Sequence, residues 1–196
     1  ATEFEKFAVE HIYAGKAFDD RLGCFIIGEL LKKLDGVSLD YTLHLVGTSS
    51  EEVGIRGAKT AVQKMNPEIV LVIDVATFSN EFVRDDTNQR QIGKGPILTH
   101  YDRTLLPNRN LQLYVKESAK NASIPLQLDM FKTGGTDGGE AHLVNEGKPT
   151  IVNIVPVRYG HCAYSIVNIK DIEQMINLYQ EILINFDIDV FQRVQN

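Results

Sequence analysis

The sequence predicts an α/β domain, a three-layer sandwich with a largely parallel or mixed central sheet. Residues 69–73 and 149–155 are continuous apolar runs rich in β-branched side chains, which is typical of strands buried on both faces. Residues 21–34 and 169–186 instead repeat apolar side chains at close to helical spacing. Strands that alternate with helices along a chain favour a sheet covered by helices.

Shorter patterns predict the remaining elements. Apolar and polar residues alternate over 39–46, which predicts a strand with one buried face. A short helix over 57–65 is closed by Asn66-Pro67. We also predict, in chain order, a long loop over 77–103 with a short strand at 96–99, a helix at 110–120, a strand at 124–130 and a short helix around 141–143.

The bulk composition limits the kinds of partner. The chain has 196 residues and 43% hydrophobic content, which suits one packed domain or part of a larger protein. A net charge of -6 and the lack of a Lys/Arg cluster argue against a nucleic-acid partner. No apolar run approaches the roughly 20 residues that span a bilayer. Two cysteines fit a reducing cytoplasm, so we expect a cytoplasmic protein without a membrane partner.

Two adjacent carboxylates, Glu51 and Glu52, lie between the predicted strand at 39–46 and a glycine-containing turn. Neighbouring side chains on an extended backbone point in different directions. One of the two could therefore bind a cation while the other faces the substrate as a general base. The alternative is a solvated turn, because charged side chains are mostly exposed.

Other polar residues follow other predicted strands. Asp74 ends a buried strand, His161 follows the strand at 149–155, and Asp137 lies in a glycine-rich turn after a further strand. Ligands of α/β sheets collect outside the carboxyl ends of the strands, so these side chains are expected to converge with Glu51 and Glu52. Carboxylates with an imidazole suit Zn, Co or Mn ions.

Each candidate also has a structural interpretation. Asp19 precedes a helix and is equally well placed to cap it. Asp137, among four glycines, could form an Asx-type turn and nothing more. Asp74 is the strongest of the three, because a lone carboxylate is costly to bury unless it is paired or metal-bound.

Five motifs occur in a fixed order along the chain. They are residues 16–21 (KAFDDR), 51–58 (EEVGIRGA), 73–74 (ID), 134–137 (GGTD) and 158–161 (RYGH). Together they resemble the M42 family of dinuclear metal aminopeptidases, and the resemblance runs from about Lys16 to the last helix. It implies a zinc-peptidase-like fold and two divalent metal ions.

Carried over residue by residue, the resemblance implies a role for each of five positions. Asp19 would bridge both metals, and Glu51 would be the general base. Glu52 and His161 would bind one metal, and Asp74 would be a terminal ligand of the other. The resemblance gives Asp137 no definite role.

The sequence also departs from the family pattern. Family members carry an earlier His-x-Asp motif, which supplies a further metal-binding His, and an inserted β-rich domain that supports oligomers. Neither is matched in the family's order, since the one His-x-Asp triplet of the chain, His100-Tyr101-Asp102, lies between the third and fourth motifs and not ahead of the first. We therefore expect residues 1–15 to be the tail of an inserted domain and residues 16–196 to be the carboxyl-terminal part of a catalytic domain. A naturally truncated relative is the alternative.

The resemblance implies a metal-dependent aminopeptidase that acts on peptides and forms a homo-oligomer in its full-length form. A catalytically incomplete, metal-binding relative is the second hypothesis. Glycoside hydrolysis is disfavoured, because it needs two opposed carboxylates at a defined separation, whereas Glu51 and Glu52 are adjacent.

Overall fold

The computed structural model describes residues 4–77, 90–131 and 133–195. The strands of this part are β1 (Glu5–Lys6), β2 (Ile12–Gly15), β3 (Val70–Ala76), β4 (Ile97–Tyr101), β5 (Gln127–Met130), β6 (Thr150–Arg158) and β7 (Ser165–Asn168). Its helices are α1 (Phe18–Lys33), α2 (Arg56–Met65), α3 (Arg109–Asn121), α4 (Gly138–Ala141), α5 (Ile169–Ile184) and α6 (Ile188–Gln195).

All of these strands belong to one sheet, in the order β1-β2-β7-β6-β4-β5, with β3 pairing with β6 outside this path. β6 is the central strand, and eight of its nine residues are buried. β3 runs parallel to it, with Val70 opposite Thr150 and Asp74 opposite Ile154. The carboxyl ends of β3 and β6 therefore lie at the same edge of the sheet.

Helices cover both faces of the sheet, which confirms the three-layer sandwich. On one face, Leu22, Ile26 and Leu30 of α1 pack with Met175 of α5 and with Val155 of β6. On the other face, α2 and α4 pack together through Ala58, Val62 and Ala141 against Val70 of β3. Successive strand residues point to opposite faces, so β3 and β6 contribute to both layers of the core.

The sheet is mixed, with mostly antiparallel pairs, so the expectation of a largely parallel sheet is wrong and the mixed alternative is confirmed. Only the β3–β6 and β4–β5 pairs of the described strands are parallel. Connection length explains two of the four antiparallel pairs among these strands, β1–β2 and β6–β7. The segments β1 to β2 and β6 to β7 are joined by short turns, and short turns allow only antiparallel neighbours.

The predicted strand at 39–46 is also wrong. These residues are not in a strand, and they form no ladder with any other described strand. Alternating polarity shows that a segment can bury one face, but a strand also needs a neighbour that pairs with its backbone. Residues 41–47 instead line a cavity of about 820 Å³ that also borders β3 and α2.

The position of β2 is relevant to the predicted domain boundary between residues 15 and 16. It lies within 1–15, yet it pairs with β7 through Ile12–Asn168 and Gly15–Ser165. Residues 12–15 are thus part of the same sheet as the rest of the chain, while the assignment of 1–15 to an inserted domain stays a prediction. The predicted loop at 77–103 extends over residues 78–89, which lie outside the described residues. None of the described helices is both long and apolar enough to cross a membrane.

Replacing Ile154 with Ala should lower the free energy of unfolding by about 2–5 kcal/mol, because the side chain is fully buried in β6 and its removal leaves a cavity. Urea denaturation followed by circular dichroism measures the change. Ile188→Ala is the matched control, since Ile188 is 64% exposed, and it should shift stability by no more than about 0.5 kcal/mol. Equal losses in the two variants would contradict the assigned core.

Candidate metal centre

Three predicted site residues meet at one edge of the sheet. His161 Nε2 lies 3.1 Å from Asp19 Oδ2 and 3.3 Å from Glu52 Oε2. One ligand atom from each of these side chains lies within 4.8 Å of the others. The Asp19 side chain is 17% exposed, whereas Glu52 and His161 are 54% and 76% exposed. The group is therefore open to solvent on one side and anchored in the protein on the other.

Asp19 and His161 are brought together by the pairing of β2 with β7. Asp19 is in the first turn of α1, directly after β2, and the peptide bond between Asp19 and Asp20 is cis. His161 lies in the turn between β6 and β7, where Tyr159 and His161 both have positive φ angles. The Ser165 hydroxyl donates to the Tyr159 carbonyl over 2.9 Å and closes this turn.

Glu51 and Glu52 lie in a turn that leads into α2. The amides of Gly54 and Ile55 both donate to the Glu51 carbonyl, at 3.0 and 2.8 Å. Gly57 packs so closely on the backbone of Ser49 that a Cβ atom at this position would overlap it. The glycine thus allows the start of α2 to sit against the carboxylate turn, which fixes the direction of the turn.

Asp74 is near the three-residue group but is not part of it. Its side chain is partly buried near the end of β3, lines the same cavity as Asp19 and Glu51, and accepts a 2.7 Å hydrogen bond from the Val75 amide. Burial and then the charge of Asp20 raise its pKa well above the ordinary value. The structure thus brings together three of the four predicted metal ligands. Asp74 lines the adjoining cavity but is not in the three-residue group.

Two further carboxylates belong to this cluster, Asp20 and Asp137. Asp20 accepts a 2.9 Å hydrogen bond from the Gly23 amide inside α1. Asp137 accepts one from the hydroxyl of Thr48, just before the Glu51 turn. The sequence analysis gave no site role to Asp20 or to Thr48. The position of Asp20 next to Asp19 could have pointed to it. A contact between residues 48 and 137 has no counterpart in the sequence pattern.

The cluster is electrostatically costly in the absence of a cation. Burial, then the charge of Asp137, raise the pKa of Glu51 to about 7. Burial also raises the pKa of Asp20 to about 7, with the charges of Asp19 and Asp137 acting in the same direction. The pKa of Asp19 is raised by burial and by Glu52, and lowered by His161. Several carboxylates are thus held together with one imidazole beside them.

This donor set fits a divalent metal ion. Carboxylate oxygens and an imidazole nitrogen are ligands for Zn, Co and Mn. A cation among the acids would favour their ionised forms, against the burial and the neighbouring charges that raise their pKa values. The chemistry of the residues therefore agrees with the metal dependence of the M42 family.

Comparison with known proteins gives the family of the chain. A sequence model of the family described as M42 glutamyl aminopeptidase matches residues 1–178. The chain belongs to this family. The glutamyl aminopeptidase of Lactococcus lactis is 34% identical over 181 residues, which cover 92% of this chain and 50% of that protein. The putative aminopeptidase FrvX of Escherichia coli is 34% identical over 170 residues, covering 86% and 47%.

Among solved M42-like structures, the TET aminopeptidase of Thaumarchaeota archaeon SCGC AB-539-E09 superposes with a TM-score of 0.93 at 33% identity. The match covers 98% of this chain and 55% of that one. The chain thus spans about half the length of the relatives that it matches.

The raised pKa of Glu51 predicts how stability depends on pH without metal. The folded pKa, about 7, lies above the ordinary 4.5, so folding favours the protonated form. The resulting stabilisation is fully present below pH 4.5 and is lost as the pH rises through 7. Glu51→Gln cannot ionise and should therefore flatten part of this decline. Urea midpoints measured in chelator from pH 4.5 to 7.5 test it.

Glu146→Gln serves as the control for this titration, because Glu146 is exposed on a distant turn. It should follow the wild-type pH profile. A Glu51→Gln profile that also matches the wild type would show that Glu51 is not the group that titrates.

Proposed function

We propose that this chain forms the carboxylate-rich part of the active site of a metal-dependent aminopeptidase, which removes amino-terminal residues from peptides. The observation that carries the proposal is the meeting of Asp19, Glu52 and His161 directly beside Glu51. Membership of the M42 family, with the aminopeptidase names of its relatives, supports the same reaction. The proposed activity is that of the whole protein, because the relatives named as aminopeptidases are about twice as long as this chain.

Each of two metal ions would have its own set of ligands. Asp19 would contact both ions, Glu52 and His161 would hold one, and Asp74 would hold the other. Zinc is the first choice on this donor set, with Co or Mn as alternatives. When bound, such ions supply a nucleophilic water at neutral pH and polarise a peptide carbonyl.

Glu51 is the proposed general base. It is not a member of the three-residue ligand group, and it lies next to Glu52 on the same turn, within the influence of His161 and Asp19. A nearby cation would lower its pKa from the raised value towards the ionised form that accepts a proton. A carboxylate that titrates near the working pH is effective in this role.

The substrate is proposed to be a short peptide with a free amino group. A cytoplasmic location and assembly of the whole protein into homo-oligomers complete the proposal.

A metal-binding relative without turnover is the second candidate. It is favoured by one observation: within the described residues the ligand group contains a single imidazole, and Asp74 is not a member of it. One tightly held ion per chain, with no peptide hydrolysis, would support this candidate over the first.

Glu51→Gln should retain bound metal and lower kcat by about 10²–10⁴-fold, because it keeps the size of the side chain but cannot accept a proton. The assay follows release of the first residue from short unblocked peptides, in parallel with metal content by elemental analysis. The same peptides with an acetylated amino terminus should not be cleaved. Activity that survives in Glu51→Gln, or in chelator, would contradict the proposed mechanism.

His161→Ala should raise the dissociation constant of the bound ion at least about tenfold, because it removes a nitrogen ligand from the group. Competition with a chromogenic chelator measures this constant. His100→Ala is the matched control, since His100 lies on β4 and outside the group. Equal weakening by both substitutions would remove His161 from the metal centre.

A further inference from the structure

The turn that carries Glu51 follows a segment with few attachments. Within the part of the chain that the structure describes, residues 38–49 are hydrogen-bonded through two side chains. The Tyr41 hydroxyl donates to the Leu183 carbonyl over 2.6 Å, and the Thr48 hydroxyl donates to Asp137 Oδ2. The second of these lies three residues before Glu51, so it is the hydrogen-bonded attachment nearest to the proposed base on that side.

The carboxylate of Asp137 is not used to stabilise its own turn. Asp137 is the residue before α4, but its side chain forms no capping hydrogen bond. The amides of Gly138 and Gly139 donate instead to the hydroxyl and carbonyl of Thr136, at 3.3 and 2.9 Å. The expected alternative of an Asx-type turn is therefore wrong. The carboxylate is directed at Thr48 and the Glu51 turn.

The glycine-rich turn that carries Asp137 is tightly packed. Thr104 fits between Gly135 and Gly139, where a Cβ atom on either glycine would overlap its hydroxyl. That hydroxyl donates to Asp102 Oδ1 over 2.8 Å, and the Asp102 side chain is fully buried. Asp102 also accepts from the Leu105 amide at 2.8 Å. Asp137 is thus presented by a rigid support, whereas its partner Thr48 is on a loosely held segment.

We propose that Asp137 is a positioning residue for Glu51, and that it acts by holding the Thr48 hydroxyl and so fixing the turn of residues 50–56. The inference rests on the proposed function in taking Glu51 as the base. Asp137 Oδ1 is buried and has no hydrogen-bond partner among the described residues, so the carboxylate has little else to hold. The charge-assisted hydrogen bond is of the stronger kind, which suits an anchor that adds to the packing of Gly57 on the Ser49 backbone.

Four variants separate the effect of the Thr48–Asp137 hydrogen bond from the effect of the negative charge of Asp137. Thr48→Val and Asp137→Ala each remove one side of the hydrogen bond. Thr48→Ser keeps the hydroxyl, and Asp137→Asn keeps an acceptor oxygen without the charge. Thr60→Val is the matched control, because Thr60 is exposed on α2 and its hydroxyl donates only to the Gly57 carbonyl, at 2.9 Å.

The first measurement is amide hydrogen exchange of Gly54, Ile55 and Arg56, whose N–H groups are bonded within the turn. Thr48→Val and Asp137→Ala should each speed this exchange by about tenfold, and the double variant should be no faster than either single one. Thr48→Ser and Thr60→Val should exchange like the wild type, and Asp137→Asn, which keeps an acceptor without the charge, should fall between the wild type and Asp137→Ala. This measurement does not require turnover.

The second measurement is kinetic, on unblocked peptides. Thr48→Val should lower kcat by about tenfold or more while KM stays within about twofold, because a misplaced base slows chemistry and not binding. Metal content should not change, and Thr48→Ser should restore kcat.

Two results would overturn the inference. One is exchange in Thr48→Val that matches the Thr60→Val control. The other is a raised KM in Asp137→Asn with normal exchange, which would assign the carboxylate to direct contact with the substrate. A wild-type protein without turnover under any tested metal would reject the proposed function instead, and the exchange comparison would still decide whether the anchor exists.

Discussion

The central strand β6 pairs with β3, β4 and β7, and both layers of helices pack on it. Its one buried amide, Asn153, donates to the Ile97 carbonyl at 3.4 Å, and its side-chain oxygen shares the Tyr179 hydroxyl, at 3.3 Å, with the Val72 carbonyl, at 3.0 Å. Because buried polar groups are costly when unpaired, these bonds fix the register between β6, β4 and α5. The same strand sets the positions of Asp74 on its neighbour and His161 beyond its end.

The candidate site follows from this framework. A parallel pair at the centre brings the carboxyl ends of β3 and β6 to one edge, and the antiparallel pairing of β2 with β7 adds the start of α1 to it. Burial, and then the charges of neighbouring acids, raise the pKa of Glu51 and Asp20 at this edge. Without a cation, these buried acids lower the stability of the fold, and a bound cation would restore that stability. Such a local cost is typical of functional sites.

Much of the fold could be predicted from periodicity. The continuous apolar runs of β3 and β6 and the helical spacing of α1 and α5 each reflect burial, which the sequence records directly. Strand direction and pairing partners could not be predicted this way, because they depend on which segments meet in space. The short strands β1, β2 and β7 have too few residues to show a pattern, and residues 39–46 show a pattern without a neighbour.

The candidate site divides in a similar manner. Asp19, Glu52 and His161 were predicted from ordered motifs, and the structure brings them together. The bond between Thr48 and Asp137 was not predicted, because it joins a threonine and an aspartate of ordinary local context. A hydrogen bond between distant segments has no period and no spacing, so it becomes visible only once the chain is folded.

The pairing of Ile12–Gly15 with Ser165–Asn168 also affects how the protein folds. It joins segments near opposite ends of the described chain, and a contact of such long sequence separation forms slowly because loop-closure entropy is lost before the strands are stabilised. Asp19 directly follows one of these strands and His161 directly precedes the other, so the ligand group is complete only when this pairing has formed. Metal affinity would therefore report whether these two distant segments have paired.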